Sequence, residues 1–392
     1  MKNFVYHNPV KVLFGKNTIN QLGSEIDQLG GPALLVYGRK KIFDNGVYQQ
    51  VISSLDNQNI TYIEHSGVQP NPLLSHVHKG IEKARKYQCR VVIGIGGGSV
   101  IDSAKAIASG VETTHHIWKY FTGKKSVKQV LPIVCVPTLA GSGSEMNSGM
   151  VLTHDDKKQK FGFAHRALFP RVCIADPTTT FSCPPDQTAF GAVDTLVHCL
   201  EPYFSAEELQ APFQYRFLAN VSRTSMETCL QLLTTPNSYD HRATMLWTSS
   251  MALSGLSTSG LGKINYPIHL LEHALSALYD IPHGAGLAAV LPGWLAYHRE
   301  SLAGRFARFG EQVFEIKNGT VEDKSSQMID RLLHFLYSID CPLCIKELGI
   351  NDKHLPEIAA HCCTQARIWR MKDYNLQNVS ALLDSCYLPL IK

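Results

Sequence analysis

Four side chains in the second half of the sequence have the types and the spacing of a metal-ligand set. Asp194 and His198 are spaced i, i+4, so on a helix they lie on one face. His269 and His273 repeat this spacing, and His283 follows shortly after them. One carboxylate and three imidazoles suit Fe(II) or Zn(II), and the candidate ligands are Asp194, His198, His269 and His283.

The sequence around these residues favours a metal-binding role for them over an ordinary role in the core or on the surface. A histidine pair at this spacing is more often a solvated or core pair than a ligand pair, and an aspartate before it can be a surface charge. Here, however, the neighbours are apolar, as in LVHCL around His198 and PIHLLEHALSALY around His269. Burying an unpaired carboxylate or imidazole is costly, and a cation relieves that cost.

A glycine-rich turn between a strand and a helix is the second candidate site. Residues 91–108, VVIGIGGGSVIDSAKAIA, place Gly96, Gly97, Gly98 and Ser99 between a buried run and an amphipathic helix. Glycine lets the backbone approach a ligand closely, and the free N–H groups at the helix start attract a pyrophosphate. The glycines do not follow G-x-G-x-x-G, so a tight turn without a ligand stays open as an alternative.

A second loop, PTLAGSGSE at 137–145, also follows a buried run and is rich in small donors. Two such loops at the ends of two strands favour a nucleotide crevice more than either does alone.

The first half of the chain alternates buried strands with helices, which predicts a doubly wound α/β sheet. A helix is predicted over 75–88 and a hairpin over 148–165, and residues 1–15 are predicted to form a pair of strands. The predicted buried strands are 33–38, 60–65, 90–98 and 131–138.

The second half has a helical pattern broken by glycine and proline. Pro184 and Pro185 mark the change from the strand–helix alternation to the helical pattern, because proline cannot continue a helix or a strand ladder. We therefore predict an α/β dinucleotide-binding domain over 1–184 and an all-helical, metal-binding and catalytic domain over 185–392.

Composition excludes several other classes of protein. The 392 residues carry a formal net charge of +4, too small to indicate nucleic-acid binding. No signal peptide or membrane span is predicted, and the 11 scattered cysteines are typical of a reduced, cytoplasmic protein. The single C-x-x-C at 341–344 has no second pair and is not interpreted as a zinc or redox motif.

Taken together, the motifs resemble those of the iron-containing alcohol dehydrogenases. The resemblance extends over nearly the whole chain from residue 8, and is nearest to the butanol-dehydrogenase-like, NADP-dependent aldehyde reductase branch. It implies a Rossmann-like domain and a helical metal domain of dehydroquinate synthase-like architecture, an active site in the cleft between them, and a homodimer. The motifs that carry it are GGGSVIDSAK (96–105), PTLAGSGSE (137–145), Asp194-x3-His198 and HLLEHALSALYDIPHG (269–284).

The resemblance also implies roles for individual residues. The four candidate ligands match the family's metal-binding positions, and His273 matches a histidine near the substrate and the nicotinamide. His273 is accordingly the candidate catalytic residue for proton relay, with a packing role as the alternative. The candidate coenzyme-binding residues that follow from these motifs are Gly97, Gly98, Ser99, Asp102, Thr138, Leu139, Ser142, Val151 and Lys160.

Two positions depart from the family pattern. Leu139 and Ser142 stand where many members have threonine. Ser142 keeps a hydroxyl, whereas Leu139 loses one, so a hydrogen bond to the coenzyme at that position must be made differently or not at all.

The coenzyme is predicted to be NADP(H), with NAD(H) as the alternative. The strand at 33–38 ends at Gly38 and leads into Arg39, Lys40 and Lys41. NAD-preferring members of the family place an aspartate here, whereas this chain has no carboxylate before Asp44. Cations attract a 2′-phosphate that a carboxylate would repel, although a solvated basic turn is the alternative reading.

The predicted reaction is hydride transfer between a small primary alcohol or aldehyde and the nicotinamide, with the metal as Lewis acid. Apolar neighbours of the candidate ligands favour an uncharged substrate, namely Leu196, Leu270, Leu275 and Ile281. Polyol oxidation of the glycerol dehydrogenase type and a lyase of the dehydroquinate synthase type remain alternatives. A non-catalytic descendant would be expected to have lost a ligand, and this chain has lost none. A non-haem iron oxygenase would explain neither the third histidine nor the nucleotide crevice.

Overall fold

The computed structural model describes residues 1–39 and 41–390, which divide into two compact units. The first comprises His7–Pro184 and Pro236–Ser250, and the second comprises Met1–Tyr6, Pro185–Thr235 and the chain from Met251 onwards. These units differ from the predicted ranges 1–184 and 185–392 in two segments, Met1–Tyr6 and Pro236–Ser250.

The first unit is built on a parallel sheet of six strands in the order β1-β8-β5-β4-β2-β3. The strands carry apolar residues on both faces, and all five residues of the second strand are buried, as expected of a parallel sheet covered on both sides. The strands are β1 (Lys11–Phe14), β2 (Ala33–Tyr37), β3 (Tyr62–His65), β4 (Val91–Gly96), β5 (Ile133–Pro137) and β8 (Val172–Ala175).

The four predicted strands are confirmed as β2, β3, β4 and β5, with slightly narrower bounds. Strands β2, β4 and β5 are buried as predicted, whereas β3 lies at the edge of the sheet and only its last residue, His65, is buried. The predicted hairpin is also confirmed as an antiparallel pair, β6 (Gly149–His154) and β7 (Gln159–Ala164). The helices of this unit are α1 (Leu22–Leu29), α2 (Lys41–Asp44), α3 (Val47–Asp56), α4 (Leu74–Lys86), α5 (Gly98–Val111) and α6 (Trp118–Phe121).

The prediction of a strand pair at the N-terminus is wrong. Only β1 forms there, and it pairs in parallel with β8, which lies much later in the chain. The alternation of polar and apolar residues therefore reflects pairing with a distant strand. Upstream of β1, Phe4 and Val5 are exposed, and the Lys2 backbone N–H donates to the Gly260 carbonyl in the helical unit.

Helices make up the second unit, and none of its described residues belongs to a strand. Together with the sheet of the first unit, this confirms the predicted fold class. Pro212 and Pro267 stand at the starts of α8 and α10, where the missing N–H of proline has no intrahelical partner to lose. The helices of the second unit are α7 (Pro185–Ser205), α8 (Pro212–Thr234), α10 (Pro267–Tyr279), α11 (His283–Tyr297), α12 (Ala303–Val313), α13 (Val321–Ser338), α14 (Leu355–Ile368) and α15 (Leu376–Tyr387), whereas α9 (Tyr239–Ala252) lies in the first unit except for its last two residues.

Helix α7 is buried around nearly its whole circumference over its second half, and α10 is buried along most of its length. Polar side chains on these two helices therefore lie inside the unit and need partners there. Asp280, in the left-handed conformation at φ 54°, ends α10 and lets the chain turn back into α11. Among the described residues, no helix combines the length and the apolar character needed to cross a bilayer.

The position of α11 depends on a close contact with α15 at Gly293. A Cβ at this position would lie 2.4 Å from the Cys386 Cα and 2.5 Å from the Ser385 carbonyl oxygen. We expect Gly293→Ala to destabilise the protein by about 1–3 kcal/mol, because backbone atoms cannot yield to the added methyl. Urea unfolding followed by circular dichroism measures this.

The matched control is Gly304→Ala in α12, where a Cβ would meet nothing within 4 Å. That variant should gain roughly 0.5–1 kcal/mol from helix propensity. Equal unfolding midpoints for the two variants would contradict the close packing of α11 on α15.

Candidate active site

Asp194 and His198 lie one turn apart on α7, and both side chains are buried. The Asp194 Oδ1 atom is 3.4 Å from the His198 Nδ1 atom. The i, i+4 spacing thus brings the two groups together as predicted from the sequence.

Helices α10 and α11 bring two further imidazoles to the same carboxylate oxygen. The Nε2 atoms of His269 and His283 each lie 3.6 Å from Asp194 Oδ1. His283 is the first residue of α11, and the next residue must be small, because a Cβ at Gly284 would lie 2.4 Å from the Phe190 carbonyl oxygen on α7. All four predicted ligands are therefore brought together around one oxygen.

Three of these side chains have buried polar atoms without a hydrogen-bond partner, which is the observation that a metal would explain. The atoms are Asp194 Oδ1, His198 Nδ1 and His269 Nε2. Buried polar atoms are nearly always paired in native proteins, so three unpaired atoms that converge need a common partner. One carboxylate oxygen and imidazole nitrogens are donors that Fe(II) and Zn(II) accept, and the residues fit such an ion.

The electrostatics of the cluster favour a cation. Burial raises the pKa of Asp194, but His198, His283 and His269 outweigh it and hold the pKa well below its usual range. Burial lowers the pKa of His198 to about 3 against the opposing effect of Asp194. Burial would also lower the pKa of His269, yet Glu201 and Asp194 raise it to about 10. The carboxylate is thus ionised and His198 neutral, as metal ligands must be, whereas His269 must give up one of its two ring protons when a metal binds.

Two buried glutamates complete the cluster, and sequence reasoning missed both of them. A Glu201 carboxylate oxygen accepts a hydrogen bond from His269 Nδ1, and a Glu272 oxygen accepts one from His283 Nδ1. A signal existed in the sequence, because two of the three copies of the motif H-x-x-E, those at 198–201 and 269–272, lie within apolar helical runs.

His273 lies beside the candidate ligands and outside their convergence on Asp194. It is buried, its ring centroid is 6.2 Å from that of His269, and its Nδ1 atom is 2.7 Å from the Gln365 side-chain nitrogen. Trp369 packs edge-on against it with ring centroids 5.6 Å apart. The side chain is therefore held at a fixed orientation next to the cluster.

The glycine turn lies in the first unit between β4 and α5, and no side chain caps the start of α5. Strands β4 and β5 pair with Gly96 opposite Pro137, so the loops that follow them leave the same edge of the sheet. A Cβ at Gly97 would be 3.3 Å from Leu139, and one at Gly98 would be 2.3 Å from Ser142 Oγ. The two predicted loops are thus in contact, and at Gly98 a Cβ would force Ser142 to move.

The remaining candidates on these loops are brought to the same region. Thr138 follows β5, and its backbone N–H donates to the Gly96 carbonyl; Ser99 lies in the first turn of α5. Asp102 lies on α5, and its two oxygens accept hydrogen bonds from Ser144 Oγ at 2.6 Å and from the Val151 N–H at 2.9 Å. It therefore fastens the second loop and the hairpin to α5.

Lys160 is also buried, and its ammonium group donates to the Asn71 side chain at 2.9 Å. The predicted basic turn follows β2, which pairs with β4 with Tyr37 opposite Ile95. Gly38 and Arg39 therefore leave the sheet at the same edge as the glycine turn. Arg39 and Lys41 are exposed, whereas Lys40 lies outside the described residues.

Comparison with known proteins decides the family. The model described as "Iron-containing alcohol dehydrogenase" matches residues 9–177, and the model of the C-terminal domain of the same family matches residues 188–387. The chain belongs to the iron-containing alcohol dehydrogenase family. The family predicted from the motifs is thereby confirmed, and with it the class of NAD(P)-dependent alcohol dehydrogenases.

Several members of the family resemble this chain over more than nine tenths of their length. A probable NADH-dependent butanol dehydrogenase 1 of Bacillus subtilis is 36% identical, with 98% of this chain and 99% of that protein covered. The NADPH-dependent aldehyde reductase YqhD of Escherichia coli is 30% identical, with coverage of 91% and 92%. The crystal structure of NADH-dependent butanol dehydrogenase A from Thermotoga maritima superimposes with a TM-score of 0.95 at 36% identity, covering 99% of each chain.

Proposed function

We propose that this iron-containing alcohol dehydrogenase interconverts small primary alcohols and aldehydes with NADP(H), using Fe(II) or Zn(II) held by Asp194, His198, His269 and His283. The observation that carries the proposal is the convergence of the three imidazoles on one buried carboxylate oxygen. Relatives named for butanol and for aldehydes support the substrate class.

A divalent metal at this site would supply Lewis-acid polarisation of the substrate oxygen. The chain's own contribution is to hold the ligands in place before the substrate arrives. Asp194 is fixed on α7 and the imidazoles of His269 and His283 are fixed by buried glutamates, so little reorganisation is needed when charge develops on the substrate oxygen.

An uncharged substrate fits the charges around the cluster. The groups that act most strongly on Asp194, His198 and His269 are other histidines and carboxylates, with no lysine or arginine among them. A lyase that binds an acidic substrate would need cations near these ligands. The charged groups that act on these three ligands therefore fit an uncharged alcohol or aldehyde better than the acidic substrate of a dehydroquinate synthase-type lyase.

His273 is the proposed proton relay. Its buried ring lies within 5.9 Å of the His283 ring, centroid to centroid, and so close to the place where the substrate oxygen would sit. Gln365 contacts Nδ1 and so fixes the orientation of the ring beside the cluster, as a residue that exchanges a proton with the substrate requires.

The coenzyme is proposed to bind along the sheet edge at which β2, β4 and β5 end. The free N–H groups at the start of α5 attract a pyrophosphate, and the closely packed glycines let it approach. The relatives include both NADH-dependent and NADPH-dependent enzymes, so their names do not decide between the coenzymes. The preference for NADP(H) rests on exposed Arg39 and Lys41 at this edge.

The direct test is a rate assay on metal-reconstituted protein. We expect oxidation of NADPH with butanal and other small aldehydes, faster than oxidation of NADH and abolished by a chelator, because the metal polarises the carbonyl. Glycerol oxidation should be slower than butanol oxidation. Turnover with NADH alone would reject NADP(H) but keep the reaction, and no turnover with either coenzyme after loading with Fe(II) or Zn(II) would reject the function.

The coenzyme preference can be tested at Arg39. Arg39→Ala should raise the KM for NADPH roughly tenfold and leave the KM for NADH unchanged, because a charge-assisted hydrogen bond to the 2′-phosphate is lost. Steady-state kinetics with both coenzymes measure this, with Lys128→Ala, another exposed cation of the same unit, as control. Equal changes for the two coenzymes would contradict a role in binding the 2′-phosphate.

The proton relay can be tested at His273. His273→Ala should lower kcat by about 10²–10⁴, the usual contribution of general acid–base catalysis, while the metal content stays intact. Turnover and metal content by mass spectrometry are measured on the same sample, with exposed His334→Ala on α13 as control. Unchanged turnover would rule out the relay role and favour a packing role.

A further inference from the structure

Two glutamates that belong to no predicted ligand set lie directly behind the candidate metal ligands. Glu201 and Glu272 each end an H-x-x-E motif, and both residues are 0% exposed. A buried carboxylate is costly unless it is paired and hydrogen-bonded, so the position of these two groups needs a physical reason.

Glu201 joins α7 to the beginning of α10. One of its oxygens accepts the backbone N–H groups of Ile268 at 2.5 Å and His269 at 3.1 Å, which the helix leaves without an intrahelical partner. Its other oxygen accepts the Nδ1–H of His269. The three donors in these contacts, two backbone N–H groups and one imidazole N–H, therefore all need an acceptor, and the Glu201 carboxylate provides it.

Glu272 makes the equivalent contact with His283 from the middle of α10. One of its oxygens faces His283 Nδ1, and the other faces the Ser276 hydroxyl, which also lies 2.9 Å from the Ile281 carbonyl oxygen. The space for the glutamate is created by Gly286 on α11, where a Cβ would lie 2.9 Å from the Glu272 Cγ.

We propose that Glu201 and Glu272 are positioning residues that set the affinity of the site for its metal. Each holds the proton of its histidine on Nδ1, so that the Nε2 lone pair faces Asp194, and each increases the basicity of the imidazole. This inference rests on the metal site of the proposed function and adds to it the groups that tune that site.

The two glutamates are not equivalent. A glutamine at 201 cannot satisfy its neighbours, because one end of the amide must face the backbone N–H groups and the other end His269 Nδ1. If the amide oxygen stays on the backbone, the NH₂ group forces the His269 proton onto Nε2, the atom that must bind the metal.

A glutamine at 272 can avoid this conflict. The Ser276 hydroxyl can turn its proton to the Ile281 carbonyl and accept from the amide NH₂, which leaves the amide oxygen on His283. At these two contacts Glu272→Gln loses the negative charge and keeps the hydrogen bond to His283. Replacement of Glu201 should therefore weaken metal binding more than replacement of Glu272.

The experiment measures Zn(II) affinity of the full-length protein by competition with a chromophoric chelator, and metal release into excess EDTA. We expect Glu201→Gln to weaken binding on the order of 100-fold and Glu272→Gln on the order of 10-fold, within the range known for outer partners of metal-binding histidines. Gly286→Ala keeps both charges but displaces Glu272, so it should also weaken binding and provides a second route if Glu201→Gln folds poorly.

Glu25→Gln is the control. Glu25 lies in the first unit, not with the metal ligands in the second, and its largely buried carboxylate is paired with Lys11 of the same unit. The variant should bind metal as tightly as the unsubstituted protein does. The visible spectrum of the Co(II)-loaded proteins is a second readout, because its bands report ligand geometry and a loss of general stability would not shift them. The spectrum should change in Glu201→Gln and not in the control.

The possible results distinguish a failure of the proposed metal site from a failure of the positioning role of the two glutamates. If the unsubstituted protein binds no Zn(II) or Co(II), the metal site itself is wrong. If it binds them, and the variants Glu201→Gln, Glu272→Gln and Gly286→Ala bind as tightly with unchanged Co(II) spectra, the positioning role is overturned while the metal site stands.

Discussion

The helical unit depends on the need to stabilise the Asp194 carboxylate in the interior. Asp194 lies on a helix whose neighbouring residues are almost all buried, and its nearest polar neighbours are imidazoles on three helices. An ionised carboxylate in such a place is tolerated only with positive charge close by. The same oxygen therefore requires a cation and determines where α7, α10 and α11 must meet.

The packing of these helices is adapted to that requirement by small residues. Gly284 lets the first turn of α11 approach the backbone of α7, and Gly286 leaves room for Glu272 beneath His283. A methyl group at either position would come within 3 Å of a neighbouring atom. Because packed interiors do not deform freely, glycine at these positions allows the close packing that places His283 beside Asp194 and Glu272.

Much of the fold and of the candidate ligand set could be predicted from local patterns. The buried strands carry β-branched residues on both faces, and the i, i+4 pairs need only one helix each, so both signals are contained in short stretches of sequence. The pairing of the strand Lys11–Phe14 is harder to predict, because its partner is the distant strand Val172–Ala175 and periodicity does not reveal which strands pair. The N-terminal strand pair was predicted wrongly for this reason.

Glu201 and Glu272 could not be assigned from their spacing alone. A glutamate three residues after a histidine on a helix is usually a surface charge, and the motif does not say which histidine the carboxylate will meet. Glu201 in fact contacts His269 and Glu272 contacts His283, so neither contacts the histidine of its own motif. The partner depends on how α7, α10 and α11 pack, which only the tertiary structure reveals.

The crossed pairing of the two motifs has a physical consequence for the site. A glutamate paired with the histidine of its own motif would orient that side chain relative to its own helix only. Glu201 instead ties α7 to the start of α10, and Glu272 ties α10 to the start of α11. Each carboxylate thus fixes a ligand and a helix junction at once, so the ligand geometry and the helix packing reinforce each other. An error in either would leave a buried charge without its partner, and an unpaired buried charge is costly in a low-dielectric interior.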